Sequence, residues 1–339
     1  MASGGSLHHP PALQGRISVT VDELIRLRNK ARGFSFLPRQ PVHSVLAGRH
    51  ASRLRGRGLN FEELRPYYPG DDTRTIDWNA TARLRDPFVR VYTEERDRTV
   101  LLLVDQRLSM FFGSRRATKS VAAAEVAAAS AWRVTSLGDR IGAIVFGDTE
   151  TATIKPRARD AGAMNVIDAV AKASQDLPGR IGERTRPEAL NEALRRAQPL
   201  LKHDGLLCLI TDAAGSDEET VERVTALTAH NDVLGVFVYD PLEADLPPVG
   251  SAFVTEGDRK IEVDTLSSAL RGRFTQAFEK RRRTIERFSR QRSIPVLPIR
   301  ADLDPVDQLR DLLGRRMTAS VREHAPREAR REARREARS

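Results

Sequence analysis

The sequence predicts an α/β protein whose doubly wound, mainly parallel sheet follows a small, partly β N-terminal module. From residue 99 onward, short apolar runs alternate with segments of helical periodicity. This alternation is typical of parallel strands that are covered by helices on both faces. Before residue 99 the chain is rich in Gly, Pro and Arg and shows little helical periodicity, which indicates short strands and loops.

The chain of 339 residues divides into four predicted segments, which are a flexible leader (1–14), an N-terminal module (15–98), an α/β domain (99–316) and a charged tail (317–339). In the module, Thr20 resembles a helix cap and acids follow it, so a helix is predicted over 18–28. Residues 88–92 alternate apolar and polar side chains, as a half-buried strand does. The tail repeats Arg-Glu-Ala-Arg without an apolar face, and we therefore expect it to be solvated rather than docked.

The elements of the α/β domain follow from its apolar runs and helical patterns. Strands are predicted at 100–105, 140–147, 206–211, 233–239 and 294–299, with 151–156 as a hairpin partner of the second. Helices are predicted at 114–137, 161–174, 187–201, 218–230, 266–290 and 305–316. The first of these helices contains an alanine-rich run, which is a strong helix former. Pro187 stands where the first residue of a helix does, a position that tolerates its missing N–H group.

Composition and charge restrict the compartment and the partner. The formal net charge is +10, which permits an anionic partner such as nucleic acid or a lipid surface. Arginine far outnumbers lysine, however, as is also typical of GC-rich coding sequence, and this favours the interpretation without such a partner. No apolar run approaches the roughly 18 residues of a membrane span. The N-terminus lacks the apolar core of a signal peptide, so a soluble cytoplasmic protein is expected.

Cys208 is the only cysteine, which excludes an internal disulfide, and its apolar surroundings predict a buried structural thiol. Candidate site residues follow the predicted strands, because ligands of doubly wound folds bind at the carboxyl ends of strands near a switch in strand order. Asp105 and Ser109 follow the first strand, Thr185 precedes the helix at 187, and Asp212 follows the strand 206–211. Any one of these acids could simply cap a helix or anchor a loop.

A second motif, Gly56–Trp78, combines turn signals, paired acids, arginines and aromatic residues in a short span. Together with the buried strand that ends in Asp105, it resembles the bacterial domain-of-unknown-function 58 family, whose core is a von Willebrand factor A-like domain. The resemblance extends from about residue 40 to about residue 316 and implies a von Willebrand factor A-like or Rossmann-like sheet.

Von Willebrand factor A domains hold a divalent cation through an Asp-x-Ser-x-Ser loop, a threonine and an aspartate, which are the hard oxygen ligands that Mg²⁺ prefers. The resemblance therefore implies a Mg²⁺ site at Asp105, Ser109, Thr185 and Asp212. Arg107 replaces the first serine of the motif. Two interpretations remain: a cation site, or a metal-free site in which the guanidinium neutralises both aspartates. The substitution favours the second.

The signature segment is predicted to be structural. We expect Asp71, Asp72 and Asp77 to accept hydrogen bonds from backbone amides and from nearby arginines such as Arg74. Trp78 is expected to pack against the α/β core and to clamp the N-terminal module onto it. A metal site at the Asp71–Asp72 pair is the alternative.

Common enzyme motifs do not occur in this sequence: it contains no P-loop, no Gly-x-Ser-x-Gly elbow and no dinucleotide-binding glycine motif after a strand. The family resemblance implies a non-enzymatic adaptor that works with a MoxR-type AAA+ ATPase in the assembly or activation of a partner complex. One alternative is a metal-dependent hydrolase that uses Asp71, Asp72 and Asp105. Another is a binder of nucleic acid or an anionic surface through 280–283 and the tail, although no aromatic residues interleave that basic run, so specific nucleic-acid recognition is not expected.

Overall fold

The computed structural model describes residues 15–32, 34, 59–69, 71–94, 97–201, 203–256, 259–292 and 294–313. The predicted leader and charged tail lie outside the described residues. The described residues up to 34 and from 98 onward form one compact unit, here called the α/β unit, and those from 59 to 97 form a second, here called the signature unit.

The strands of the described chain are β1 (Leu59–Pro66), β2 (Phe88–Glu94), β3 (Thr99–Asp105), β4 (Arg140–Phe146), β5 (Thr151–Arg157), β6 (Leu206–Thr211), β7 (Asp232–Tyr239), β8 (Ser251–Glu256), β9 (Arg259–Asp264) and β10 (Val296–Arg300). The helices are α1 (Val21–Arg26), α2 (Trp78–Leu84), α3 (Lys119–Ser136), α4 (Arg159–Asp176), α5 (Ala189–Ala197), α6 (Glu218–Thr228), α7 (Pro241–Ala244) and α8 (Ser268–Arg292), and a further helix covers 305–313. Among the described helices, none combines the length and the hydropathy that a membrane crossing requires.

The sheet of the α/β unit has six strands in the order β10–β7–β6–β3–β4–β5. All neighbouring pairs are parallel except β4 and β5, which form the predicted antiparallel hairpin. The chain passes from β3 to β4 on one side and returns to β6 on the other, so the strand order reverses between β3 and β6. The predicted fold class, a doubly wound and mainly parallel α/β sheet, is confirmed.

Helices cover both faces of this sheet, as the continuous apolar strands require. On one face, apolar side chains of β3, β4, β6 and β7 pack against α5, α6 and α8 in a single buried cluster. On the other face, α3 contacts the central strands and packs against α1 and α4. Its alanine side chains are small enough for the helix to lie close to the strands, and nearly its whole length is buried.

Helix α1 belongs to the α/β unit, which corrects the predicted boundary of the N-terminal module at residue 15. Its N-terminus is the predicted one, because Thr20 and Glu23 form a capping box. The Trp132 indole N–H of α3 donates to the backbone carbonyl of Leu24 at 3.3 Å. Gln175 of α4 donates to the carbonyl of Val19 at 2.8 Å. The segment is therefore held to the α3–α4 layer by burial and by hydrogen bonds.

The signature unit contains the antiparallel hairpin β1–β2, which includes the predicted strand at 88–92. Its helix α2 was not predicted, although Asp77 caps it through the backbone N–H groups of Asn79 and Ala80, each at 3.0 Å. The hairpin β8–β9 and the single-turn helix α7 of the α/β unit were also not predicted. Four and seven residues are too few for a helical period to stand out.

Candidate functional site

Two buried aspartates meet where the strand order of the sheet reverses. Asp105 is the last residue of β3, and Asp212 directly follows β6. These strands are parallel neighbours, with Val104 opposite Ile210, so both carboxylates lie at the same edge of the sheet. This is the position at which doubly wound folds bind ligands. The predicted juxtaposition of Asp105 and Asp212 is confirmed.

Asp105 is paired with a guanidinium inside the protein. Both Asp105 and Arg107 are buried, at 0% and 2% exposure. Arg107 Nε donates to Asp105 Oδ1 at 2.9 Å, and Nη2 donates to Oδ2 at 2.6 Å, which is the forked geometry of a strong ion pair. The Thr211 hydroxyl donates to the same Oδ2 at 2.6 Å. The predicted neutralisation of Asp105 by Arg107 is thus present.

Arg107 also connects three loops of this edge. Its Nη1 donates to the Pro187 carbonyl at 3.3 Å, and its Nη2 donates to the Ala214 carbonyl at 3.0 Å. The guanidinium lies 5.5 Å from the centre of the Phe146 ring. Burial alone would lower the pKa of Arg107, but the charge and hydrogen bonds of Asp105, together with the charges of Asp212 and Asp148, more than offset it, and the net pKa is raised. The side chain therefore stays charged and cross-links the loops.

Asp212 is neutralised by other cations than the one predicted. Lys119 Nζ donates to Asp212 Oδ2 at 2.7 Å and to Glu243 Oε1 at 2.7 Å. Arg281 bridges the same two acids, at 3.3 Å to Asp212 and 3.0 Å to Glu243. The expected direct contact of Arg107 with Asp212 is wrong, because the guanidinium binds Asp105 instead. The charge of Arg107 nevertheless contributes to lowering the pKa of Asp212. Burial raises the pKa of Asp212, but Lys119 and then Arg281 overcome this and lower it to about 2.

Two more buried carboxylates complete the cluster, and both are held mainly by backbone amides. Asp148 accepts from the N–H groups of Leu108 and Arg186, each at 2.7 Å. Asp240 accepts from the Ser114 N–H at 2.8 Å and from its hydroxyl at 2.9 Å. We name the five acids and three cations the edge cluster: Asp105, Asp148, Asp212, Asp240, Glu243, Arg107, Lys119 and Arg281.

Sequence reasoning missed five members of the edge cluster: Lys119, Asp148, Asp240, Glu243 and Arg281. One signal was available for Lys119, which begins an otherwise alanine-rich and apolar helix and so was a candidate for a buried charge with partners. Asp240 before Pro241 has the pattern of a helix N-cap. Arg281 lies in a basic run that resembles an exposed helix face, and no local pattern distinguishes it from its neighbours.

The two predicted hydroxyl ligands have different positions. The Ser109 hydroxyl donates to Asp212 Oδ1 at 3.4 Å, so it does lie in the cluster. Thr185 is exposed, and among the described residues it forms no hydrogen bond with either aspartate. Its neighbour Arg186 brings that loop to the edge through the backbone bond to Asp148. The structure therefore assembles Asp105, Ser109 and Asp212 but leaves the Thr185 side chain outside the cluster.

The donor set does not fit the divalent cation that the family resemblance implies. Both oxygens of Asp105 accept from Arg107, and Asp212 Oδ2 accepts from Lys119 and Arg281. A divalent cation would have to displace these charges or lie beside them, which Coulomb repulsion opposes. Within the described part of the chain, no three His, Cys, Asp or Glu side chains are grouped as metal ligands.

A metal titration tests this disagreement. We expect Mg²⁺ to leave the melting temperature of the wild type unchanged, because a ligand stabilises a protein only if it binds the native state. Arg107→Ser restores the hydroxyl ligand but leaves Lys119 bound to Asp212. The double variant Arg107→Ser/Lys119→Ala is therefore expected to show a larger Mg²⁺-dependent rise in melting temperature than Arg107→Ser alone. A Mg²⁺-dependent rise in the wild type that Asp105→Ala abolishes would contradict this account.

The acids of the signature unit are held as predicted. Arg65 donates to both oxygens of Asp71, at 2.7 and 2.8 Å, and the Tyr68 N–H donates at 2.9 Å. The Arg65 hydrogen bonds, with the backbone bond, lower the pKa of Asp71 to about 2. Asp72 accepts from the backbone N–H of Arg74 at 3.0 Å, so Arg74 contributes its amide here.

The expectation for Trp78 is wrong. Its side chain is not packed in a core, because 70% of its surface is exposed. Asp72 caps the turn that precedes Trp78, and Asp77 caps the helix that Trp78 begins, so the local backbone is fixed without burial of the indole. A substitution at Trp78 therefore has little packing to remove.

An open groove borders the edge cluster. It has a volume of about 340 Å³ and lies between the loop after β6 and one side of α8, where it is lined by Ala213, Ala214, Gly215, Ser216, Ala277, Lys280, Arg281 and Thr284. Ala213 has a φ of 57°, a left-handed conformation that costs a non-glycine residue roughly 1–2 kcal/mol. Such strained residues concentrate at functional sites.

The chain is similar to several known proteins in sequence or in structure. Residues 63–284 match the family described as "Protein of unknown function DUF58". Uncharacterized proteins of Mycobacterium bovis and Mycobacterium tuberculosis are 28% identical to the chain over 299 residues, which is 88% of this chain and 90% of each relative. Among solved structures, a conserved hypothetical protein BatB from Bacteroides thetaiotaomicron is similar with a TM-score of 0.36 and 17% identity, over 64% of this chain and 98% of that one.

Proposed function

This chain belongs to the DUF58 family, and we propose that it is a non-enzymatic interaction module that presents the carboxyl edge of its sheet to a protein partner. The observation that carries the proposal is the state of the edge cluster. Its five carboxylates are held by three internal cations and by backbone amides, in the place where a catalytic or metal site would lie. Such a cluster fixes the loops of the edge in one conformation, as a preorganised docking surface requires.

The ion pairs of the edge cluster are unfavourable for acid–base catalysis. A general base needs a carboxylate that can take a proton near the working pH, whereas the pKa of Asp212 is about 2. Asp105 has Arg107 on both oxygens, and Asp71, the other acid of the hydrolase alternative, has Arg65 on both of its own. No observation favours the hydrolase over the interaction module.

The basic run of α8 also supports a protein partner over a polyanion. Arg281 points to Asp212 and Glu243, and Arg282 pairs with Glu279 on its own helix. Two of the four basic side chains in this run are thus neutralised within the described chain. Lys280 is exposed beside the groove and forms no ion pair with the described residues.

The partner that we propose is a MoxR-type AAA+ ATPase, with a cytoplasmic role in the assembly or activation of a further complex. Family membership supports this, because the family resemblance implies such an association. The groove supplies a surface of suitable character, because small residues make up much of its lining and Lys280, which also lines it, forms no ion pair with the described residues. A partner segment with a small apolar side chain and a nearby acid would fit it.

A quantitative pull-down from extract of the native host tests the proposal. Lys280→Glu reverses a charge at the groove without removing any packed or paired side chain, so it is expected to fold normally. We expect retention of a MoxR-type AAA+ ATPase by this variant to fall at least about tenfold below that of the wild type. A reversed charge at an interface weakens the binding free energy by more than about 1.4 kcal/mol, which corresponds to that factor. Retention by the wild type should be equal with Mg²⁺ and with chelator when nucleotide is absent from both.

Lys172→Glu is the matched control, because Lys172 is an exposed lysine on α4 at the other side of the sheet. The proposal fails if no such ATPase is retained by the wild type, or if the two variants lose it equally. If the chelator alone abolished retention of the ATPase by the wild type, this result would instead support a metal site.

A further inference from the structure

Helix α2 of the signature unit has a solvent-exposed face that none of the described residues covers. The helix has 7 residues, none of which is buried. Trp78, Asn79, Ala82, Arg83 and Leu84 are exposed, whereas Ala80 and Thr81 are half-buried. Positions i, i+1, i+4 and i+5 share one side of a helix, so Trp78, Asn79, Ala82 and Arg83 form a single face. A helix this short is marginal by itself, since isolated helices need about 12–15 residues, and contact along this face would stabilise it.

Three exposed arginines lie near Trp78 in the sequence. Arg74, Arg83 and Arg85 are exposed, and none of them forms an ion pair with a described residue. Arg74 lies four positions before Trp78, which limits their Cα separation to about 14 Å. Two exposed carboxylates lie at the margins, namely Asp72, which caps the preceding turn, and Asp86, which follows Arg85. We name Arg74, Trp78, Ala82, Arg83 and Arg85 the Trp78 surface.

We propose that the Trp78 surface binds an acidic segment of a partner protein, with an apolar side chain against the indole and carboxylates against the flanking arginines. Tryptophan and arginine are the side chains that most often dominate binding energy at protein interfaces. Arginine can bind a carboxylate through two parallel hydrogen bonds, which fixes the direction of the bound segment. This surface belongs to the signature unit, whereas the groove at the carboxyl edge belongs to the α/β unit.

Charge distinguishes this occupant from two others. A second copy of the chain is disfavoured because each copy carries a formal net charge of +10. A single-stranded nucleic acid could stack a base on Trp78, but its continuous phosphates would also pass Asp72 and Asp86. A peptide can place its carboxylates opposite the arginines only. An acidic peptide with a central apolar residue is therefore the best match to the charges on the surface.

The chain contains its own reporter for this contact. It has two tryptophans, of which Trp132 is 4% exposed and Trp78 is 70% exposed. A ligand on the Trp78 surface should shift the fluorescence emission of Trp78 to shorter wavelength and protect its indole from quenching by acrylamide. The Trp132 indole is already shielded from solvent, so a change in the emission spectrum reports on Trp78.

The test is a fluorescence titration of the full chain with a synthetic peptide of Asp, Glu and a central Leu. The comparison probes are the same peptide with Lys in place of its acids and a thymidine oligonucleotide. We expect a saturable blue shift and reduced quenching with the acidic peptide, and neither with the basic one. By anisotropy of a labelled peptide, Trp78→Ala and Arg83→Glu should each weaken binding about tenfold or more.

Lys172→Glu is the matched control, because it reverses an exposed charge on α4 of the α/β unit, lines neither the groove nor the Trp78 surface, and should leave peptide affinity unchanged. Trp78→Ala and Arg83→Glu should keep the wild-type melting temperature, since both side chains are exposed. If one of these variants is destabilised, the peptide affinity of the other variant tests the proposal. The proposal is overturned by the absence of a saturable response, by tighter binding of the oligonucleotide, or by a Trp78 that is shielded from acrylamide in the free chain.

Discussion

Replacing Arg107 with methionine is expected to lower the free energy of unfolding by about 3–5 kcal/mol, as breaking a buried ion pair does. The variant leaves Asp105 fully buried with the Thr211 hydroxyl as its remaining side-chain partner. It also removes the donors to the carbonyls of Pro187 and Ala214, which join the loops of the carboxyl edge. Chemical denaturation monitored by circular dichroism measures the change, and the midpoint should fall without a change in slope.

Two companion variants separate the buried charge from other effects of the Arg107 substitution. Arg140→Met alters an exposed arginine at the start of β4 and should change stability by no more than about 0.5 kcal/mol. The double variant Arg107→Met/Asp105→Asn should be more stable than Arg107→Met alone, because the stranded charge is gone. A loss below about 1 kcal/mol for Arg107→Met would mean that the pair contributes little.

The sheet could be predicted because its information is local. Each parallel strand of the sheet is a short apolar run between helical patterns, and burial on both faces requires such runs, whereas the antiparallel edge strand β5 is largely exposed. The hairpin β8–β9 escaped prediction because its strands are short and largely polar, as a pair outside the main sheet can be. The position of α1 escaped it as well, since packing against α3 and α4 leaves no mark in the sequence between them.

The candidate site was predicted in position but only partly in composition. The carboxyl ends of β3 and β6 could be located from strand order, and Arg107 was suspect because it replaces a ligand in a known pattern. Lys119 and Arg281 could not be assigned in the same way, because they reach Asp212 from residues 93 and 69 positions away in the chain. Contacts at such separations depend on the packing of complete helices, which no local spacing encodes.

Trp78 shows the opposite failure. Tryptophan is usually well buried, and that average predicted a packed side chain. The exposed indole instead lies on a short helix, near in sequence to three arginines that form no ion pair with a described residue, a combination that average burial does not anticipate. Tryptophan is apolar and is also frequent at protein interfaces, so it can be predicted either as a core residue or as an exposed binding residue. Only the three-dimensional surroundings of the side chain distinguish these two predictions.

Replacing Lys119 with methionine is expected to cost about 3 kcal/mol at neutral pH, toward the low end for a broken buried pair because Arg281 still bridges the two acids. Lys119 is 1% exposed and lies between Asp212 and Glu243, so its removal leaves a net negative charge in the interior. Lys172→Met, at an exposed lysine of α4, should change stability by no more than about 0.5 kcal/mol.

The pH dependence of the unfolding free energy, compared between the wild type and Lys119→Met, tests this prediction more sharply. The pKa of Asp212 falls from 3.8 to about 2 on folding, so the aspartate stabilises the wild type above its unfolded pKa. That contribution, about 2 kcal/mol, is lost as the pH falls from about 4 to about 2. With Lys119→Met the depression of the pKa should be smaller, so protonation of Asp212 should begin at higher pH and relieve the stranded charge. Unfolding free energies measured from neutral pH to pH 2 should therefore converge, whereas a gap that stays constant with pH would show that Lys119 acts on stability through packing alone.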